Sequence, residues 1–388
     1  MTDRLVIPQA NPGASYLAQK GAIDAAIARV LGSGRYILGE PVAAFEQEFA
    51  AYLGVKHCVG VASGTDAIEL ALRALGIGEG QAVIAPSHTA VATVAAIERA
   101  GARPVLVDVS RQTYTITPAA IEAIVKSARE IDGCRIAAVI PVHLYGHPAN
   151  MPAILEVARR HGLRVIEDCA QSHGARIAGQ PAGTFGDVAA FSFYPTKNLG
   201  AFGDGGFVAV NDAQLQKRLF SLREYGWQQR YVSAFPGLNS RLDPLQAAIL
   251  SVKLTRLDAD NNRRREIAAR YSAGLAQLPL ALPTSSPGAE HVFHQYVIRT
   301  PERDRLSAFL ASRSILTGIH YPLPIHLQPA YRDRQLAYGE LPETEQVCRE
   351  ILSLPMFPQL ADADVDRVIA AIVEWASSRR SVQRGAAT

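Results

Sequence analysis

The stretch from Phe191 to Gly206 reads FSFYPTKNLGAFGDGG and carries the strongest pattern in the chain. An apolar run typical of a buried strand leads into Lys197, and a glycine-rich segment follows it. A lysine fixed at a strand end, with backbone free to approach it closely, suits a Schiff base. A lone lysine after an apolar strand is more often a solvated loop residue, so this interpretation needs support from elsewhere in the chain.

A second apolar run, VIED at 165–168, ends in the acid Asp168. In sheets built from alternating strands and helices, ligands bind at the carboxyl ends of the strands, and both Asp168 and Lys197 fall near such ends. Pyridoxal 5'-phosphate needs a lysine as its covalent anchor and a carboxylate beside its pyridinium nitrogen. The two residues therefore predict this cofactor, with Lys197 and Asp168 as catalytic residues.

The segment HCVGVASGTDAIELAL at 57–72 supplies a third feature. A short apolar strand turns through Ser63, Gly64 and Thr65 into an amphipathic helix. The free N–H groups and the dipole of a helix start can bind an anion such as a phosphate. Ser, Thr and Asp are also ordinary helix caps, and for this segment alone capping is the favoured explanation.

Composition excludes several classes of function. The chain has 388 residues, a formal net charge of +3 and no long basic run, so nucleic-acid binding is not indicated. Its four cysteines are far apart without CxxC spacing, which predicts no metal site and no disulfide framework. No run approaches the roughly 20 apolar residues of a membrane helix, and the N-terminal residues lack a signal-peptide core. A cytoplasmic protein without a membrane partner is expected.

The order of elements predicts an α/β fold. Several strands read as continuous apolar runs, which is typical of a mainly parallel sheet covered by helices on both faces, in three layers. We expect a large cofactor-binding domain over residues 1–260, including an N-terminal arm, and a smaller C-terminal α+β domain over 261–388. Predicted strands are 82–86, 104–108, 136–142, 163–167, 188–193, 206–210 and 291–299; predicted helices are 66–75, 90–100, 118–131, 150–161, 212–224, 244–257, 261–277, 303–313, 342–352 and 362–378.

From about Gly39 to Pro358 the chain resembles the nucleotide-sugar aminotransferases of the DegT/StrS group, which have the aspartate-aminotransferase fold. The resemblance is greatest to members that aminate C3 of a keto-sugar. It rests on several blocks in the family's order, each weak alone: SGTDA at 63–67, PVHLYG at 141–146, EDCAQSHG at 167–174, the stretch 191–206, NSRLD at 239–243, QAAI at 246–249 and HYPLPIHLQP at 320–329.

The resemblance implies a role for each matching cofactor residue. Lys197 matches the Schiff-base lysine, which also moves a proton and so needs a lowered pKa. Asp168 matches the partner of the pyridinium nitrogen, and Gln171 matches a residue near the cofactor's 3'-hydroxyl. Asn239 matches an asparagine that the neighbouring subunit sends to the phosphate, which implies a homodimer with composite active sites. The phosphate contacts within the chain are Gly64, Thr65 and Ser192.

One position departs from the family pattern. Many relatives carry an aromatic residue after the threonine of the turn at 86–89, close to the cofactor ring, where this chain has Ala90. His88 is a candidate for stacking on the ring instead, and capping of the following helix is an equally good explanation.

The resemblance also implies substrate contacts. His320 and Tyr321 match positions near the sugar, although His320 could instead be bonded within its proline-rich turn. Tyr225 could also face the substrate. Arg241 and Arg223 are candidate partners of a diphosphate, or of an acid in the dimer interface. Two further histidines, His294 and His326, are interpreted as structural.

The function that the resemblance implies is that of a transaminase that moves an amino group from L-glutamate to a keto-sugar nucleotide. The favoured acceptor is a dTDP-linked 3-keto-6-deoxyhexose, which would give a 3-amino sugar. A 4-keto sugar nucleotide or a keto-cyclitol is an alternative acceptor. A sugar dehydratase of the same fold would carry histidine in place of Lys197, and a non-catalytic regulator would not need Asp168, Gln171 and Lys197 together.

Overall fold

The structure, a computed structural model, describes the backbone of residues 6–385 and the side chains of residues 6–378. The prediction that the N-terminus carries no signal peptide concerns residues that lie mainly outside this range. Among the described helices, none has the length and apolar content to cross a bilayer.

Strands β1 to β15 alternate with helices for most of the chain. The strand bounds are, in order, His57–Val61, Gln81–Pro86, Arg103–Val107, Glu130–Ile131, Cys134–Val139, Arg164–Asp168, Arg176–Ile177, Gln180–Pro181, Val188–Ser192, Gly206–Val210, Trp227–Gln229, Val232–Ser233, Ala289–Glu290, Tyr296–Arg299 and Ile351–Leu354.

Helices α1 to α13 cover the sheet and build the C-terminal part. Polar caps begin many of them; the hydroxyl of Ser63, for example, accepts a hydrogen bond from the Asp66 N–H at 3.1 Å. The helix bounds are, in order, Pro12–Leu17, Lys20–Ser33, Glu40–Leu53, Gly64–Ala74, Val91–Arg99, Pro118–Ser127, Met151–His161, Ala213–Leu222, Pro244–Leu254, Leu257–Leu275, Arg303–Ala311, Pro342–Glu350 and Asp362–Gly385.

The main sheet has the strand order β1-β10-β9-β6-β5-β2-β3, and the short β4 pairs with β5. Strands β9, β6, β5, β2 and β3 run parallel, whereas β10 is antiparallel to both β9 and β1. The predicted α/β fold with a mainly parallel sheet is confirmed. Because β10 runs backwards, its first residue Gly206 lies beside Ser192, the last residue of β9, at one edge of the sheet.

Some element bounds differ from the sequence-based prediction. The helix predicted over 118–131 ends at Ser127, and Glu130–Ile131 form an edge strand instead. The strand predicted over 291–299 is regular over Tyr296–Arg299, where it pairs with β15. The helices before residue 54 were not predicted; α2 and α3 pack against α9.

Buried apolar residues form separate clusters on the two faces of the sheet and in the C-terminal part. The C-terminal cluster joins residues of 267–376 with Ile7, whose N–H also bonds to the carbonyl of Ser314 at 2.9 Å. The N-terminal segment thus packs on the C-terminal part, and α10 crosses residue 260. The division into domains at 260 and 261 stays a prediction.

Candidate active site

A cavity of about 470 Å³ opens at the edge where β1, β6 and β9 end and β10 begins. This volume lies in the range of pockets that hold cofactors and small substrates. It brings together residues from distant parts of the sequence. Its lining comprises Ser63, Gly64, Thr65, Ile68, Ala90, Ala92, Thr93, Asp168, Ala170, Gln171, Ser192, Tyr194, Thr196, Lys197, Asp204, His294, Gln295, His320 and Tyr321.

Lys197 lies in the turn that follows β9. Its N–H donates to the carbonyl of Tyr194 at 2.8 Å, and the chain then folds back so that Ala201 N–H donates to Phe193 at 2.8 Å. Gly200 permits this return, because a Cβ there would lie 2.5 Å from the carbonyl oxygen of Pro195. Burial lowers the pKa of Lys197 to about 8, and the negative charge of Asp168 opposes the shift. A substantial fraction of the amine is therefore neutral near physiological pH.

Asp168 ends β6 and is buried. Its carboxylate accepts a hydrogen bond from the Thr93 hydroxyl at 3.0 Å and one from the Ala170 N–H at 3.1 Å. Burial raises the pKa of Asp168, and these two donors together with Lys197 and His143 counteract the shift. No described lysine or arginine forms an ion pair with it, so the carboxylate faces the cavity as a fixed acceptor suited to a protonated ring nitrogen.

The start of α4 forms the opposite end of the cavity. Ser63 satisfies two of the first N–H groups of the helix. Its hydroxyl accepts a hydrogen bond from the Asp66 N–H, and its carbonyl accepts one from the Ala67 N–H. Gly64 and Thr65 come before these two residues at the helix start, and both line the cavity together with Ser192, which carries a hydroxyl. Such a helix start suits a phosphate.

Two glycines hold this helix start against the strands. A Cβ on Gly64 would lie 2.5 Å from the Cβ of Ser192, and one on Gly206 would lie 2.3 Å from the carbonyl oxygen of Ser63. Neither residue has a positive φ angle. The glycines are therefore required for close approach of backbone segments, and the cradle that they form fits a phosphate group.

Gln171 connects the cavity floor with the His320–Tyr321 segment. Its side-chain oxygen accepts from the Tyr145 N–H at 2.7 Å, and its side-chain nitrogen donates to the Tyr321 hydroxyl at 3.3 Å. The His320 imidazole reaches Ser353 Oγ through Nδ1 at 2.9 Å. Burial, followed by the charge of Lys197, lowers the pKa of His320. His320 and Tyr321 both line the cavity, so they lie where a substrate contact is possible.

His294 also lines the cavity, although the sequence favoured a purely structural role. The amide nitrogen of Asn198 donates to the carbonyl of Val292 at 3.0 Å and to Asn261 at 2.8 Å. The amide oxygen of Asn198 therefore accepts from His294 Nδ1 at 3.2 Å, which leaves Nε2 of a neutral imidazole as an acceptor. Burial is the main cause that holds the pKa of His294 well below its ordinary value.

Two sequence-based assignments need correction. His88 does not line the cavity; it is buried, with Nε2 2.7 Å from the Tyr145 hydroxyl and Nδ1 3.3 Å from Cys348 Sγ. It does not cap a helix either, since α5 starts after Ala90 without a side-chain cap. Arg223 is buried against Glu46 at 2.5 Å and the carbonyl of Gly60 at 2.9 Å, so it is not free for a diphosphate.

Three other candidates lie outside the cavity of their own chain. Tyr225 is 39 % exposed and packs beside Trp227, with ring centroids 5.3 Å apart. Asn239 is exposed and forms a bridge with Glu224, and Arg241 is half-buried. The geometry of a single chain thus leaves these residues without a site contact.

Thr93 is a cavity residue that the sequence analysis missed. It lies in the first turn of α5, where its hydroxyl accepts from Thr89 at 3.0 Å and donates to Asp168. The spacing of four residues between two threonines at a predicted helix start was a signal for this pair. Its link with Asp168 spans 75 positions and could not be read from local sequence.

The groups that meet in the cavity indicate which cofactor it can hold. An amine with a lowered pKa, a fixed carboxylate and a helix start suited to an anion converge on one cavity, and this set of groups fits pyridoxal phosphate at its aldehyde, ring nitrogen and phosphate. A buried His143–Glu167–Cys169 group lies behind the cavity, with Glu167 accepting from His143 at 3.1 Å and from the N–H groups of 183, 185 and 186. That carboxylate is already satisfied by the protein.

Comparisons with curated proteins find close relatives. A dTDP-3-amino-3,4,6-trideoxy-alpha-D-glucose transaminase of Streptomyces venezuelae is 48 % identical over 371 residues, covering 95 % of this chain and 96 % of the relative. A UDP-N-acetyl-3-dehydro-alpha-D-glucosamine 3-aminotransferase of Acidithiobacillus ferrooxidans is 44 % identical over 372 residues, covering 96 % and 98 %.

Solved structures agree with the fold. DesV of S. venezuelae, solved with a ketimine intermediate, has a TM-score of 0.91 and 48 % identity, covering 96 % of this chain and 98 % of that chain. A Bacillus subtilis protein, ntda, solved with bound cofactor PMP, has a TM-score of 0.86 and 29 % identity, covering 96 % and 86 %. A model of the DegT/DnrJ/EryC1/StrS aminotransferase family matches residues 18–373. The chain belongs to this family of transaminases.

Proposed function

We propose that the chain is a pyridoxal-phosphate-dependent aminotransferase that moves the amino group of L-glutamate to C3 of a dTDP-linked 3-keto-6-deoxyhexose. The observation that carries the proposal is the convergence of buried Asp168, half-buried Lys197 and the start of α4 on one cavity. The name of the S. venezuelae relative supports both the nucleotide and the aminated carbon.

The residues of this chain would hold the cofactor at three points. Lys197 would be the covalent anchor, Asp168 would bond the ring nitrogen and, as a further contact, Gln171 would lie near the 3'-hydroxyl. Gly64, Thr65 and Ser192 would bind the phosphate. When bound, the cofactor supplies an electron sink that lets an amino group be exchanged for a carbonyl oxygen.

Lys197 and Asp168 divide the chemical work. With a pKa lowered by burial to about 8, Lys197 Nζ can accept a proton from substrate carbon and return it. Asp168, held by Thr93 and Ala170, would keep a proton on the ring nitrogen. His320 and Tyr321 would contact the sugar, since they line the same cavity.

We further propose a homodimer with composite sites. Among the described cavity residues Lys197 is the single lysine or arginine, whereas the proposed substrate carries a diphosphate. A partner's copies of Asn239, Tyr225 and Arg241 would complete the site, which accounts for their position outside the cavity of their own chain. A charged diphosphate needs such cationic or N–H partners.

A panel of acceptors tests the function. Purified enzyme, pyridoxal phosphate and L-glutamate are incubated with dTDP-linked 3-keto and 4-keto 6-deoxyhexoses, and product mass and carbon position are determined. Amination at C3 is expected. Turnover of the 4-keto isomer alone would refute the C3 assignment.

A UDP-linked 3-keto amino sugar is a second candidate acceptor. It is favoured by the A. ferrooxidans relative, whose name gives a UDP-N-acetyl-3-dehydroglucosamine substrate. Including this compound in the panel separates the two candidates by the ratio of kcat/KM values.

A further inference from the structure

Beneath the cavity, Cys348, His88 and Tyr145 form a chain of hydrogen bonds whose direction is fixed. The Tyr145 hydroxyl donates to the backbone carbonyl of His320, since a carbonyl can only accept. Its oxygen therefore accepts from His88 Nε2, which lies 2.7 Å away. His88 Nδ1 then carries no proton and accepts from Cys348 Sγ at 3.3 Å.

Burial keeps every member of this chain in one protonation state. His88 is 1 % exposed, and burial lowers its pKa to about 3. Burial also holds the pKa of the Tyr145 hydroxyl well above its ordinary value and raises that of Cys348 to about 12. Near neutral pH the imidazole is thus neutral, and the phenol and thiol keep their protons.

The chain ends at the segment that walls the cavity. Tyr145 supports this wall twice, because its hydroxyl holds the main chain of His320 and its N–H holds Gln171, which bonds the Tyr321 hydroxyl. Tyr145 itself has a φ angle of 59°, a left-handed conformation that residues with side chains rarely adopt. Surrounding contacts must over-determine such a conformation for it to persist.

We propose that His88 and Tyr145 are positioning residues for the acceptor sugar, because they hold His320 and Tyr321 at the cavity wall. The inference rests on the proposed function, in which those two residues contact the sugar. Neither His88 nor Tyr145 lines the cavity. The Tyr145 hydroxyl bonds His88 and the main chain of His320, so its removal leaves the bond between the Tyr145 N–H and Gln171 in place. Loss of this hydroxyl should therefore affect the reaction with the acceptor sugar and leave cofactor attachment and the reaction with glutamate unchanged.

Tyr145→Phe removes the hydroxyl alone and tests this inference. A net hydrogen bond of about 0.5–1.5 kcal/mol corresponds to an increase of roughly two- to tenfold in KM for the keto-sugar nucleotide. Release of 2-oxoglutarate from glutamate without acceptor, and covalent loading of the cofactor, should stay at the wild-type level.

Tyr271→Phe is the matched control. The Tyr271 hydroxyl is also buried and donates to a backbone carbonyl, that of Pro355 at 3.0 Å, but it lies in the C-terminal apolar cluster. The Tyr271→Phe substitution should lower the melting temperature without changing the KM for the acceptor. An equal rise in KM in both variants would show a general stability effect and overturn the inference.

Substitutions at His88 test the same bond from its other side. His88→Leu should raise the acceptor KM less than Tyr145→Phe does, because the Tyr145 hydroxyl can still donate to the carbonyl of His320. The double variant should show no further rise beyond Tyr145→Phe, because His88 acts through that hydroxyl. His88→Gln keeps a side-chain N–H and should restore much of the acceptor affinity. If His88→Leu does not fold, the acceptor KM values of Tyr145→Phe and His88→Gln still test the inference.

Nitrogen-15 NMR supplies a readout independent of activity. The His88 signal, assigned by its loss in His88→Gln, should report a neutral ring protonated at Nε2. A ring protonated at Nδ1, or an unchanged acceptor KM in Tyr145→Phe, would overturn the inference alone. Failure of the wild-type enzyme to release 2-oxoglutarate from glutamate would instead overturn the proposed function.

Discussion

Lys197 and Lys253 show how much the surroundings of a residue decide. Burial lowers the pKa of both amines to about 8. The Lys253 ammonium donates to the carbonyl of Gly200 and lies 5.0 Å from the centre of the Phe202 ring. Lys197 lines the same cavity as Asp168. A lowered pKa alone thus does not distinguish the two lysines; the position of Lys197 within the cavity is what supports its proposed role as the anchor.

The first prediction concerns Lys197. Borohydride reduction of the cofactor-loaded enzyme should place the pyridoxyl mass on the peptide with Lys197 and not on the peptide with Lys253. Lys197→Ala should lose this label and turnover while keeping the melting temperature near that of wild type. A label on Lys253, or near-native turnover of Lys197→Ala, would contradict the assignment.

The pH dependence of attachment follows from the same pKa. The amine attacks only when neutral, and its folded-state pKa of about 8 lies below the ordinary 10.5. The rate at which cofactor-free protein takes up pyridoxal phosphate should therefore rise with pH up to about 8 and level off above it. A rate that continues to rise towards pH 10 would show that burial does not lower this pKa.

Asp168 gives a prediction about charge. Asp168→Asn keeps the size of the side chain and can still bond Thr93, but it loses the negative charge. A hydrogen bond to a charged group contributes about 1.5–3 kcal/mol, so we expect kcat to fall by at least about tenfold. Thr93→Val, which removes the supporting hydroxyl, should give a smaller loss. An unchanged rate in Asp168→Asn would count against its role.

At the scale of elements, the contact between α4 and the end of β9 positions the anion site. Gly64→Ala would bring a methyl group to 2.5 Å from Ser192 Cβ and push the helix start away. We expect a weaker affinity for pyridoxal phosphate, by roughly tenfold, measured by titration of the cofactor-free protein. Gly32→Ala, in open space on α2, is the control and should leave affinity unchanged and stabilise α2 by about 0.5–1 kcal/mol. Equal affinities in both variants would contradict the predicted phosphate site.

At the scale of the whole molecule, the prediction concerns the shared site. Lys197→Ala should be inactive and Asn239→Ala at most weakly active, and mixing them should restore partial activity, because each mixed dimer holds one site with both residues intact. Mixing Lys197→Ala with Asp168→Ala is the control, since both residues line the cavity of one chain and no mixed site is complete. Recovery in neither mixture, with subunit exchange shown independently, would argue against composite sites.

The sequence by itself determined the α/β fold and the main polar groups of the cavity. Apolar runs ending at Asp168 and Ser192, and the Ser-Gly-Thr turn before α4, are local patterns. Strand ends and helix starts depend mostly on neighbouring residues, so such patterns can be read without coordinates. The parallel order of strands then brings their ends to one edge.

Only the tertiary structure decided which groups His88 bonds and that it lies outside the cavity. Its ring bonds Tyr145, which is 57 positions away, and Cys348, which is 260 positions away. His88 therefore lies behind the cavity wall and does not line the cavity. Arg223 likewise forms an ion pair with Glu46, which is 177 positions away. Local sequence does not encode such partners, because a buried polar side chain is held by whichever donors and acceptors the packing brings within reach.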